Sequence, residues 1–398
     1  MVRLTAVLAV MSLMLGIALF SFPARKNDDT RDFSQFYCAA QIVRRGLGRQ
    51  LYDLKTQVEF QSKVASVHVF YNHPPFEALL FLPFTYFNYR AAYTLWTVTG
   101  LALLVCTALL IESHTKVSLA VAQYARVHAD FGLVVIIFLT FGPATTCLLI
   151  GQDSMLMLSI YTLAFILLKR GAEFQAGCVL ACGLFKFQFI VPFVLILVLR
   201  KKWSTVSGVA TVGALLVAAS TKISGGQVIT EYPRFLLLDR TYQQIAGFAP
   251  EYMPNIRGLL YLATKGRLPV AFFGGLVAIF SLAALWLAAK NWQDRHFSLS
   301  FSASLFATLL ASYHLYNYDL TLLLLPIAIV CGELAQRRRL LSIPGITTAA
   351  LILLFTPPMH RLLLLHGVYA LMCIPILVLF ISAARLIRFS SNSQNAIA

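Results

Sequence analysis

The chain has 398 residues, 59% of them hydrophobic and 12% charged, with 32 Lys plus Arg against 16 Asp plus Glu. Soluble domains carry about 25% charge, so this apolar content excludes a single soluble core, and long, non-alternating apolar runs exclude an outer-membrane barrel in favour of membrane helices. The net charge of +16 is not a nucleic-acid signature, because the basic residues cluster at the ends of apolar runs, as the positive-inside pattern and anionic headgroups require.

The first element is the apolar run at 4–22, expected to be an uncleaved span with a cytoplasmic N-terminus, since no clean small-x-small cleavage site follows it. Residues 22–75 form a first long loop with eight Lys and Arg against five acids. It opens with "ARKNDDTRDFSQFYCAA", where Asp28 and Asp29 read as solvated charges offset by Arg25, Lys26 and Arg31. Within it, "SQFYCAAQIVRRG" reads either as an amphipathic helix on the membrane surface or as an ordinary packed loop helix. Further apolar segments fall near 91–111, 131–150, 153–169, 204–220, 268–289, 297–312, 317–334, 343–357 and 363–384. Shorter ones lie at 75–88 and in the pair 174–185/187–199. A full span needs ~20 residues, so these shorter pieces are expected to be half-helices, re-entrant elements or kinked. The clusters at 169–170, 200–202, 290–295 and 336–339 are expected to be cytoplasmic. The loops at 22–75 and 221–267 then lie outside, provided that 75–88 does not cross. The seven Cys show no metal or disulfide spacing; Cys106, Cys178 and Cys182 act as small hydrophobes.

Polar residues beside or within spans are expensive and therefore mark candidate sites. "FYNHPPFEALLF" places Tyr71, Asn72 and His73 before a double Pro, which also suits a plain helix start. "LLIGQDSMLML" carries Gln152, with Asp153 or Ser154 readable as the cap of the next helix. "ACGLFKFQFIVPF" sets Lys186 and Gln188 alone in a long apolar run. Such a Lys either snorkels or meets an anionic partner such as a phosphate. Arg257 follows a Pro-Asn turn in "MPNIRGLL". His314, Tyr316, Asn317, Tyr318 and Asp319 crowd one turn, more polar groups than a turn needs.

These segments together, with "DFSQFYCAA…G…LYD", resemble glycosyltransferase family 87, the polyprenyl-phosphate-mannose-dependent transferases of the GT-C superfamily. The resemblance runs from Asp32 to about Asp319. It implies an all-α polytopic membrane protein: one GT-C transmembrane domain over 1–398, a bundle of about 11–13 helices with interfacial helices in the first extracytoplasmic loop. It further implies a bacterial inner-membrane enzyme whose site faces away from the cytoplasm. Asp32, standing before "F-x-x-F-Y", matches the family's catalytic base, and His314 a histidine near the reaction centre. Gln152, Lys186 and Gln188 match polar positions of the same cavity. Tyr37, Tyr71, Asn72, His73, Arg257 and Tyr318 complete the expected substrate-binding set.

The implied reaction moves a hexose, mannose in the family, from a polyprenyl-phosphate donor to a lipid or glycan acceptor, with inversion. Asp32 takes the acceptor's proton, and Lys186 with Arg257 or His314 neutralises the leaving phosphate. No metal or other cofactor is expected, since a monophosphate donor does not require one. A secondary transporter or flippase is the rival reading; it would show a mid-bilayer site and matching halves. A non-catalytic envelope scaffold would show no pocket at Asp32.

Overall fold

The computed structural model describes residues 32–66, 68–125, 131–238, 249–336 and 345–395. The run at 4–22, Asp28, Asp29 and the cluster Arg337–Arg339 lie outside these residues. Every regular element described is helical. Apolar, strand-free sequence of this kind satisfies its backbone within each helix, as a bilayer demands.

In chain order the helices are α1 (Phe33–Arg44), α2 (Leu54–Gln61), α3 (Tyr89–Thr115), α4 (Val117–Ala125), α5 (Phe131–Thr140), α6 (Gly142–Ile150), α7 (Ser154–Lys169), α8 (Glu173–Ala181) and α9 (Phe187–Leu199). They continue with α10 (Trp203–Ser224), α11 (Val228–Leu238), α12 (Ile256–Thr264), α13 (Val270–Asn291), α14 (Phe297–Ala311), α15 (Leu324–Gln336), α16 (Gly345–Leu354), α17 (Pro357–Leu365) and α18 (Cys373–Asn395). Among the described residues five stretches are long and apolar enough to span. They are Tyr89–Thr115, Trp203–Ser224, Val270–Asn291, Asn317–Gln336 and Tyr369–Arg388. The number rises to eight if each of three bent pairs is one span. The higher number expected from the sequence also counts the run at 4–22, which lies outside the described residues, segment 75–88, and the shorter helices α7 and α14. Each bend has a local cause. α5 and α6 meet at 70° where Pro143 enters the first turn of α6, and α16 and α17 at 72° where Pro357 starts α17. Proline has no N–H to continue the preceding ladder and sterically restricts the residue before it. α8 and the stretch Leu184–Leu199 bend by 63°, with Lys186 just past the break. Segment 75–88 is not among these candidate spans: it is three short pieces, Pro75–Glu77, Ala78–Phe81 and Leu82–Tyr86.

Of the two readings of the first-loop helix, the packed one prevails. Nine of the 12 residues of α1 are buried, on several faces rather than one stripe. It sits in an aromatic core of its own with Phe81, Tyr89 and Trp96. The Phe36 and Phe81 rings stack at 4.7 Å. This core is pinned to the chain break after α6. Trp96 Nε1 donates to the Gly151 carbonyl at 3.0 Å, and Tyr93 Oη to that of Leu149 at 2.7 Å. Gly151 itself is obligatory, because its φ is +71° and a Cβ there would stand 2.7 Å from Phe33 Cβ.

The bundle has two chemically distinct ends. At one end, Lys202 Nζ lies 3.0 Å from Asp294 Oδ1 and 3.5 Å from Glu173 Oε1. There Lys169 Nζ also donates to the His114 carbonyl at 3.1 Å. The clusters at 169–170, 200–202 and 290–295 therefore share one end. α7 runs from that end for 16 residues, about 24 Å at 1.5 Å per residue, and starts at Ser154 at the other.

Candidate active site

A cavity of about 410 Å³ opens at the Ser154 end, within the 300–1,000 Å³ usual for small-ligand sites. Asp32 from α1, Asn72 and His73 from the first loop, and Gln152 from the α6–α7 turn all line it. So do Lys186 and Gln188 at the α8–α9 bend, with His314 and Tyr318 from the turn after α14.

Asp32 begins α1, but its carboxylate makes no cap bond. Instead Oδ2 accepts from Gln152 Nε2 at 2.6 Å, and the group stays partly open to the cavity. The protein around it raises its pKa to about 6 by desolvation, opposed by the Gln152 hydrogen bond and the charge of Lys186. Such a carboxyl is ionised at neutral pH yet basic enough to accept a proton. Beside it, Gln35 Oε1 and Gln152 Oε1 are buried without a hydrogen-bond partner, and both residues line the cavity.

Lys186 is held, not snorkelling. Its Nζ lies 2.7 Å from Asp153 Oδ1, 2.7 Å from Asp319 Oδ1 and 2.8 Å from Ser154 Oγ. Ser154 Oγ donates to Asp319 Oδ1 at 2.7 Å, while Asp319 Oδ2 accepts from the Tyr316 N–H at 3.0 Å. The Lys186 charge is thus already answered by two carboxylates. A lone Lys in an apolar run is affordable to the fold for that reason. The cap reading of Asp153 gives way as well: its side chain makes no cap bond and faces Lys186 instead.

His73 Nδ1 approaches Glu77 Oε2 at 2.9 Å and Asp153 Oδ2 at 3.9 Å. Burial depresses the pKa of His73 to about 4. His314 stands edge-on to Tyr316, ring centroids 4.5 Å apart, and burial, followed by the Arg257 charge, depresses it to about 3. Both rings are neutral at pH 7, so His314 brings no positive charge to a phosphate.

Three expected residues stand outside the cavity wall. Tyr37 gives its hydroxyl to the Phe87 carbonyl at 2.7 Å and Tyr71 to that of Pro74 at 2.8 Å. Their hydroxyls fasten the first loop. Arg257 lies over the ring of Tyr313, 4.3 Å from its centroid, and donates to the Tyr313 carbonyl at 3.1 Å. Tyr313 lines the cavity, which puts Arg257 behind its rim. The sequence reading missed Asp153, Ser154 and Glu77 as site groups, left Asp319 as a rim residue and overlooked Gln35. Two signals were there. Asp153 directly follows Gln152, and Glu77 stands four residues after His73.

Compared with curated proteins and with solved structures, the chain matches none. A profile of glycosyltransferase family 87 matches residues 71–313. That stretch contains His73, Glu77, Gln152, Asp153, Lys186 and Arg257. It ends one residue before His314 and leaves out Asp32, which the fold nevertheless brings to the same cavity. With more than half of its length matched, the chain belongs to glycosyltransferase family 87.

Proposed function

We propose that this membrane glycosyltransferase transfers a hexose, mannose by family resemblance, from a polyprenyl-phosphate sugar to a lipid or glycan acceptor, inverting the anomeric centre. The observation that carries the reading is the Asp32 carboxylate, uncapped, oriented by Gln152 at 2.6 Å and open to the cavity. It takes the proton of the attacking acceptor hydroxyl. A phosphate leaving group needs no second carboxyl as acid, unlike the leaving alkoxide in glycoside hydrolysis.

Lys186 keeps Asp153 and Asp319 in place rather than meeting the phosphate alone, and Arg257, held behind the rim against Tyr313, adds a second positive charge on that side. The orphan amide oxygens of Gln35 and Gln152 suit sugar hydroxyls, since a buried acceptor gains most from a donor that completes it. The positive-inside rule puts the end holding Lys169, Lys202 and Arg295 in the cytoplasm. The cavity, about 24 Å away along α7, then faces outward in a bacterial inner membrane. A site at one end of the bundle favours a transferase over a transporter, which needs one near the midplane.

The test incubates purified protein in liposomes with polyprenyl-phosphate mannose or glucose and membrane-extracted acceptors, with products identified by mass spectrometry and anomeric configuration by NMR. An inverted glycoside is expected. No product with any donor, or a retained anomer, would overturn the reading.

A further inference from the structure

We propose that His73, Glu77 and Asp153 form a site for one divalent transition-metal ion, Zn²⁺ or Mn²⁺, in the cavity wall. The inference goes beyond sugar transfer and does not rest on it. One ligand atom from each residue lies within 4.8 Å of the other two. The His73–Glu77 and His73–Asp153 approaches, 2.9 and 3.9 Å, bracket the roughly 3 Å separation of neighbouring donors that each sit about 2.0–2.2 Å from a shared ion. Two rigid features set this geometry. His73 and Glu77 flank the Pro74-Pro75 turn, and Asp153 ends the turn between α6 and α7.

A second observation points to a missing cation. Glu77 is 0% exposed and Asp153 1%; Lys186 answers Asp153 Oδ1, but Asp153 Oδ2, both Glu77 oxygens and His73 Nδ1 face only one another and Tyr71, with no cation among them. Tyr71, beside Glu77, has its hydroxyl committed to the Pro74 carbonyl. His73 does hydrogen-bond the Phe185 carbonyl. With Nδ1 unpartnered, that bond comes from Nε2–H, which leaves the Nδ1 lone pair aimed at the Glu77 and Asp153 oxygens. A backbone carbonyl holding one imidazole nitrogen while the other faces carboxylates is the usual support of a metal-binding histidine. Lone pairs facing one another in a buried site need a positive centre between them. Asp153 can serve both neighbours, since Oδ1 takes Lys186 at 2.7 Å and Oδ2 turns to His73. Two carboxylates and a neutral imidazole balance a 2+ ion. The imidazole favours a transition ion over Mg²⁺ or Ca²⁺. His73 lines the cavity and provides the way in.

The experiment strips the full-length protein in detergent with a chelator and reloads it with Zn²⁺ or Mn²⁺ alone. Bound metal is then measured by mass spectrometry after desalting, whether or not the protein turns over. About one ion per chain is expected. Affinity should fall at least tenfold in His73→Ala and in Glu77→Gln, but not in His68→Ala, whose ring also lines the cavity. If His73→Ala does not fold, the near-isosteric Glu77→Gln carries the test. Wild type without stoichiometric metal would overturn the proposal, with a shared proton then holding the cluster; so would His73→Ala and Glu77→Gln that both load like wild type.

Discussion

Replacing Asp32 with Asn keeps an oxygen to accept from Gln152 and removes the basic one. General bases contribute about 10²–10⁴-fold to rate, so kcat should fall by that factor with donor KM little changed. The structure adds a pH signature. With its pKa at about 6, Asp32 is about nine-tenths ionised at pH 7 and about one-tenth at pH 5. The base works only when ionised, so wild-type kcat/KM should rise about tenfold from pH 5 to pH 7 and then level off. Asp32→Asn should lose this limb. Gln152→Leu keeps the carboxylate but removes a hydrogen bond that favours its ionised form, so its acid limb should move to higher pH. The assay is initial-rate transfer from polyprenyl-phosphate hexose in liposomes, from pH 4.5 to 8. Full turnover by Asp32→Asn, or a wild-type rate flat between pH 5 and 7, would refute the assignment of the base.

Two predictions concern the scaffold. Lys186→Met leaves Asp153 and Asp319 buried without their cation, and breaking such a pair costs about 3–5 kcal/mol; thermal unfolding in detergent should show a clear fall in Tm, and an unchanged Tm would mean that the two carboxylates are balanced by something else. Gly177→Ala puts a Cβ 2.0 Å from the Thr205 carbonyl oxygen where α8 crosses α10, and overpacking of this kind costs about 1–3 kcal/mol. Gly274→Ala, with nothing within 4 Å, should leave Tm unchanged in the same measurement.

Composition and segment length alone decide that this chain is an all-helical membrane protein, because ~20 apolar residues have no cheaper home than a bilayer. The sequence also singles out Gln152 and Lys186, polar groups set beside or within apolar runs, while Asp32 and His314 were marked by the family resemblance. What those groups touch was not legible. Lys186 read as a free cation because Asp153 and Asp319, 33 residues before and 133 residues after it, meet it only through folding. Asp153 read as a cap because helix starts favour Asp, and only the tertiary structure shows its side chain turned to Lys186 instead. Tyr37 and Tyr71 were expected as ligands through the resemblance, but the fold supplies backbone carbonyls for both hydroxyls. The choice between a surface helix and a packed one in the first loop was decided only when Phe81, Tyr89 and Trp96 closed around it. Local sequence carries the hydrophobic pattern and the rare polar residue. Only long-range packing decides which charges are already paired and which remain for a ligand.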